Sequence, residues 1–110
     1  RLFQQHGDMY RIQRSRRGDL VPAARLWHSG SGRVVHIATT QPFVQLYTGS
    51  RLSGRWPGKH GRPYPRFGGV WLNCQGYPNG TLHPHVDPLV LKPGERYDHQ
   101  VVYAFDTMPE

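Results

Sequence analysis

Thirteen glycines and ten prolines, scattered along a chain of 110 residues, cut its apolar residues into short runs. Proline removes a backbone donor and clashes with the preceding helical turn, and glycine has the largest entropic cost of ordering, so both disfavour a helix interior. No window sustains the i, i+3, i+4, i+7 apolar repeat of an amphipathic helix. What remains are short β-branched and aromatic stretches bounded by turn residues, which is how strands read. The chain is expected to be mostly β.

Leu20–Trp27 reads as a strand. His28-Ser29-Gly30-Ser31-Gly32 supplies residues that tolerate a tight reversal, and β character resumes over Arg33–Thr39, giving a hairpin. Side chains alternate along a strand, so Val35 and Ile37 share one face and Val34, His36 and Ala38 the other. Phe43–Thr48 is a further strand, entered from Pro42 and ended by Gly49-Ser50. Residues 51–67 form a long basic loop carrying Trp56 and Tyr64, of a length that is usually functional or disordered in a compact domain. Gly69–Cys74 is the central strand. Leu89–Leu91 is a short one, Lys92-Pro93-Gly94-Glu95 a turn, and Val101–Phe105 a closing strand with Val101, Tyr103 and Phe105 on one face. Residues 1–18 lack periodicity, and Arg14-Ser15-Arg16-Arg17-Gly18 reads as a solvated loop in preference to a dibasic processing site.

With 36% hydrophobic residues the chain has little material for a core. Domains this small bury only about 60–65% of their unfolded surface, so it would be marginal alone. Charge is uneven: residues 1–66 sum to +10 and residues 67–110 to −3, and twelve of the fourteen basic residues are Arg. Such a field favours polyanions, and Arg interleaved with aromatics suits phosphate and base stacking. An Arg-rich surface, or one that meets an acidic partner chain, explains the same composition and ranks ahead of nucleic acid. Cys74 is the single cysteine, so it is a reduced core thiol or one end of a bridge to another chain. No apolar run is long enough for a signal peptide or a membrane span, and any targeting segment is expected outside these residues. Asn79-Gly80-Thr81 is a glycosylation acceptor pattern, which leaves secretion open if Asn79 carries a glycan and the cytoplasm otherwise.

His83-x-His85-x-Asp87 places three potential metal ligands along one extended segment. A site needs three or four converging ligands, and His28, His36, His60 and His99 follow no recognisable ligand spacing, so loop histidines are the better reading. Neither metal nor cofactor is expected.

Taken together, the segments resemble the C-terminal part of the aldose 1-epimerases, the galactose mutarotases. The resemblance is carried by Ser31-Gly32-Arg33-Val34, by Thr39-Thr40-Gln41-Pro42 followed by Val44–Gly49, and by Gly58-Lys59-x-Gly61 with Tyr64. It continues through Gly69-Val70-Trp71-Leu72 with Gln75 and Pro78, and ends in Leu91–His99. The resemblance implies an antiparallel β-sandwich of galactose-mutarotase type, incomplete here, with residues 1–110 as its C-terminal segment. The N-terminal portion would come from another polypeptide or be missing.

The resemblance also implies a mechanism, and this sequence departs from it. Family members open the sugar ring with a glutamate that takes the anomeric proton and a histidine that protonates the ring oxygen. The glutamate belongs to a Leu-Glu-x-Gln motif that here reads Leu72-Asn73-Cys74-Gln75. An amide hydrogen-bonds a hydroxyl but has no useful basicity near neutral pH. The histidine would lie in the N-terminal portion, so none of the seven histidines takes its role. A sugar-binding aspartate in an Asp-His-x-Phe type motif has its nearest counterpart in Asp8-Met9-Tyr10, with Met9 where the histidine would be.

Asp8, Asn73, Gln75, Trp71 and Tyr77, with Trp56 alongside, are therefore the expected ligand-binding residues: polar groups for hydroxyls and flat rings for C–H faces. Trp71 and Tyr77 serve equally well as core residues. The leading expectation is a catalytically impaired epimerase-like subunit, a pseudoenzyme that binds a hexose-like ligand or a protein partner. Two rivals are an active epimerase whose base comes from a partner segment or from Asp8, and an Arg-rich polyanion or nucleic-acid binder.

Overall fold

A computed structural model describes residues 7–83, 85 and 90–108. Six strands, β1 (Asp8–Arg11), β2 (Val21–His28), β3 (Arg33–Thr39), β4 (Phe43–Tyr47), β5 (Trp71–Gln75) and β6 (Val101–Thr107), form two three-stranded sheets, ordered β1-β4-β5 and β2-β3-β6. Every pairing is antiparallel. The described residues hold no α-helix, only 3₁₀ turns at Lys59–Gly61 and Gly80–Leu82. The all-β expectation and the β2–β3 hairpin are both borne out.

Two local features follow from residue chemistry. Pro22 cannot donate to a ladder, and it lies in β2, an edge strand of its sheet, where the register slips between Pro22 and Ala24. Gly7 leads into β1 at φ +88°, and a Cβ there would lie 2.3 Å from the Leu46 carbonyl oxygen. Only glycine fits that close approach.

The sheets meet through faces set by alternation. Tyr10, Val44, Leu46 and Leu72 of the first sheet and Ala24 and Leu26 of the second line a cleft of about 380 Å³ between them. Val34, Ile37, Phe43 and Val44 are buried, and Thr39 is fully so. The connections are tied down by side chains. Arg14 donates from both guanidinium ends to the backbone carbonyls of Thr40 and Gln41. Gln41 Nε2 donates to the Tyr97 hydroxyl at 2.7 Å, and the Thr39 hydroxyl donates to the Gln100 carbonyl at 2.8 Å. These contacts anchor the β3–β4 link and the approach to β6.

This packing leaves much uncovered. The accessible surface is 9259 Å², where a folded monomer of this mass exposes about 6,200 Å². The radius of gyration is 16.8 Å, against about 13 Å for a compact domain of this length. Tyr103 and Phe105 of β6, on the face that in β2 and β3 turns toward the first sheet, are exposed.

Three strand expectations need correction. β1 was not anticipated, because it depends on pairing with β4 from Asp8↔Leu46 to Arg11↔Phe43. β5 starts at Trp71, two residues late. The expected strand at Leu89–Leu91 does not form at Val90 and Leu91, both exposed, and Leu89 lies outside the described residues. Three apolar residues between Pro88 and Pro93 are too few to hold a partner strand. The turn that follows does form, with Glu95 N–H donating to the Lys92 carbonyl at 3.0 Å.

Candidate functional site

Alternation in β5 puts Trp71, Asn73 and Gln75 on the outer face of the first sheet and turns Leu72 and Cys74 inward. The register adds Tyr47, Gln45 and Phe43 from β4 directly opposite them, then Met9 and Arg11 from β1. The face reads as three rows: Tyr47 with Trp71, then Met9, Gln45 and Asn73, then Arg11, Phe43 and Gln75. Amides occupy the middle and aromatic rings both ends.

Contacts hold this arrangement. Asn73 Nδ2 donates to Gln75 Oε1, and Gln75 Nε2 approaches Met9 Sδ at 3.8 Å, so the amides are linked along and across the strands. Tyr47 and Trp71 meet edge to face, with centroids 6.5 Å apart. At the opposite end Tyr77 packs on Phe43 at 5.2 Å and on His83 at 5.1 Å. The Arg11 guanidinium lies over Phe43 at 5.6 Å and donates to the His85 carbonyl at 3.1 Å. Asn73, Gln75 and Tyr77 are half-buried, whereas Trp71 is 59% exposed and is not a core residue of this chain.

Asp8 is not brought to this face. It pairs with Leu46, whose side chain turns toward the second sheet, so alternation places the Asp8 carboxylate on the side opposite Asn73. Trp56 stands on the loop joining β4 to β5, 72% exposed, with the Arg55 guanidinium 5.3 Å over its ring. That loop is internally braced. Gly49 O accepts from Leu52 and Phe67 N–H, and the Tyr47 hydroxyl accepts from Arg51 N–H at 2.8 Å. Gln45 and Arg11 were not among the expected site residues, since neither stands out in sequence; both arrive through strand register.

Of the histidine motif, His83 packs on Tyr77, His85 offers its carbonyl, and Asp87 lies outside the described residues. Among the described residues no three His, Cys, Asp or Glu side chains gather as a metal site. Two of the arginines stand on different sheets. Arg11 is on the outer face of the first sheet, and Arg25 pairs with His36 in the second.

Comparison with known proteins decides the family. The aldose 1-epimerase family model matches residues 3–104. The chain belongs to the aldose 1-epimerase family. It is 49% identical to the galactose mutarotase of Bos taurus and 45% identical to that of Homo sapiens, each over 82 residues covering 74% of this chain. It is 31% identical over 85 residues, 76% of this chain, to the aldose 1-epimerase of Escherichia coli K12. The chain spans about a quarter, 24%, of the length of these curated relatives. No helix of the described residues is long and apolar enough to cross a membrane.

Against that family, Cys74 marks the back of the site. It lies on the inward side of β5 beside the Thr39 hydroxyl of the second sheet, and burial pushes its thiol up from its ordinary value, with the Thr39 hydrogen bond opposing the shift. Such a thiol is poorly suited to act as a nucleophile near neutral pH.

Proposed function

We propose that this chain is a sugar-binding member of the aldose 1-epimerase family that has lost the general base of ring opening. What supports the reading is Asn73: the family resemblance sets it against the glutamate of the Leu-Glu-x-Gln motif, and it shares the outer face with Gln75 and Gln45. Taking a proton from an anomeric hydroxyl requires a group that holds it; an amide oxygen does not, and loss of such a base typically costs about 100- to 10,000-fold in rate. The amides still donate to and accept from hydroxyls, and Trp71, Tyr47 and Tyr77 offer rings for the C–H faces of a pyranose. The exposed apolar residues of β6 support a second part of the proposal: strands that these residues do not include complete the sandwich, in this polypeptide or a partner.

The reading of Asp8 as a substitute base is disfavoured by its place on the inward side of β1. Polarimetry of freshly dissolved α-galactose or α-glucose tests the proposal. The assembled protein should not accelerate mutarotation, while NMR titration should detect hexose binding. Turnover comparable with an active galactose mutarotase would refute it.

A further inference from the structure

The proposed ligand face has an unusual charge balance. From Leu20 to Val86 the sequence contains no Asp or Glu, yet it holds seven Lys and Arg. This span includes β4, β5 and the loop between them, the strands and border that build the face. The remaining strand, β1, brings Arg11 to the face and turns Asp8 away from it. Among the described residues of the three strands the face therefore carries one guanidinium and no carboxylate.

Sugar hydroxyls are commonly engaged by carboxylates, which accept charge-assisted hydrogen bonds and repel an anionic ligand. Here both effects are missing. Arg11 is held on the Phe43 ring and by the His85 carbonyl, contacts that restrict its orientation without neutralising it. The strand spacing of about 4.8 Å puts its backbone roughly 10 Å from that of Gln75, a span that side chains and one pyranose can bridge.

Resting on the sugar-binding reading above, we infer that this face selects a sugar acid, a pyranose whose carboxylate meets Arg11 while its hydroxyls meet Asn73, Gln75 and Gln45. The one guanidinium on the three strands matches one carboxylate in both charge and planar geometry.

NMR titration of the full chain in its assembled form with galacturonate, glucuronate, galactose, glucose and glucose 6-phosphate tests the inference. At low ionic strength the uronates should bind about ten-fold more tightly than the neutral sugars, the usual scale for one charge-assisted contact. That advantage should shrink with added salt. In Arg11→Gln the ratio of uronate to neutral affinity should fall to near one, and Arg11→Lys should recover part of it. Equal affinities in the unaltered protein, or a preference that survives Arg11→Gln, would overturn the inference while leaving hexose binding intact. Tighter binding of glucose 6-phosphate than of either uronate would overturn the carboxylate assignment. If no sugar binds to protein whose spectrum shows it folded, the sugar-binding reading fails and this inference with it.

Discussion

Both sheets expose aromatic residues, but on opposite sides and in different company. On the outer face of the first sheet, exposed Trp71 and half-buried Tyr47 stand at one end of Asn73, Gln45 and Gln75 with buried Phe43 at the other, and the amides are hydrogen-bonded to each other or packed against neighbours. On β6 of the second sheet, Tyr103 and Phe105 follow Val101 along the face that turns inward in β2 and β3. Phe105 is 78% exposed and no side-chain hydrogen-bonding group shares its row, which continues into Val35 and Leu26. The same residue types thus have two meanings. Rings that border amides suit a polar ligand with apolar faces; rings in an aliphatic row suit only another apolar surface.

The largest expected effect concerns the first region. In the assembled protein, Asn73→Glu should raise mutarotation about 100-fold or more over the unaltered chain, if the proposed loss of the general base is what this change reverses. Polarimetry reads it, and an unchanged rate would separate this face from the family's chemistry. The same variant should weaken uronate binding by placing a like charge in the site.

A smaller effect distinguishes packed rows from waiting ones. Ile37 is buried, so Ile37→Ala should cost about 3 kcal/mol in denaturant unfolding of the isolated chain. Phe105→Ala should cost under about 0.5 kcal/mol in the same measurement. If further strands complete the sandwich as proposed, its effect should emerge as weaker assembly with them. Equal costs in the isolated chain would mean that β6 is already packed, and the contrast between the two regions would collapse.

The smallest effect lies between the sheets. Burial raises the folded-state pKa of Cys74, so below the unfolded value of about 8.5 both states keep the proton and stability is unaffected. As pH rises past that point the unfolded thiol ionises first, so stability should decline with further rise through the folded pKa. Cys74→Ser should remove that alkaline decline, as measured by urea midpoints across the range.

Much of the fold was legible locally. β3, β4 and β6 follow from β-branched and aromatic runs, β2 from its place across the Ser-Gly turn from β3, and β3 matches its expected limits, Arg33–Thr39. β1 was not legible, because Asp8-Met9-Tyr10-Arg11 has no strong strand pattern and gains its shape from β4. The site was legible only in part. Asn73 and Gln75 were visible through their motif and shared parity, while Gln45 had no signal until the register set it opposite Asn73.

Asp8 shows the same boundary most clearly. Its identity and its place beside Met9 were readable from the chain, but its side of the sheet depends on where β1 begins to pair. A strand's period of two means that a single step in register exchanges the faces. The sequence by itself determined an all-β chain and its main turns, and showed Asn73 in a Leu-Asn-Cys-Gln run. Only the tertiary structure decided which residues share a surface, because that choice depends on hydrogen-bonded partners brought from distant parts of the chain.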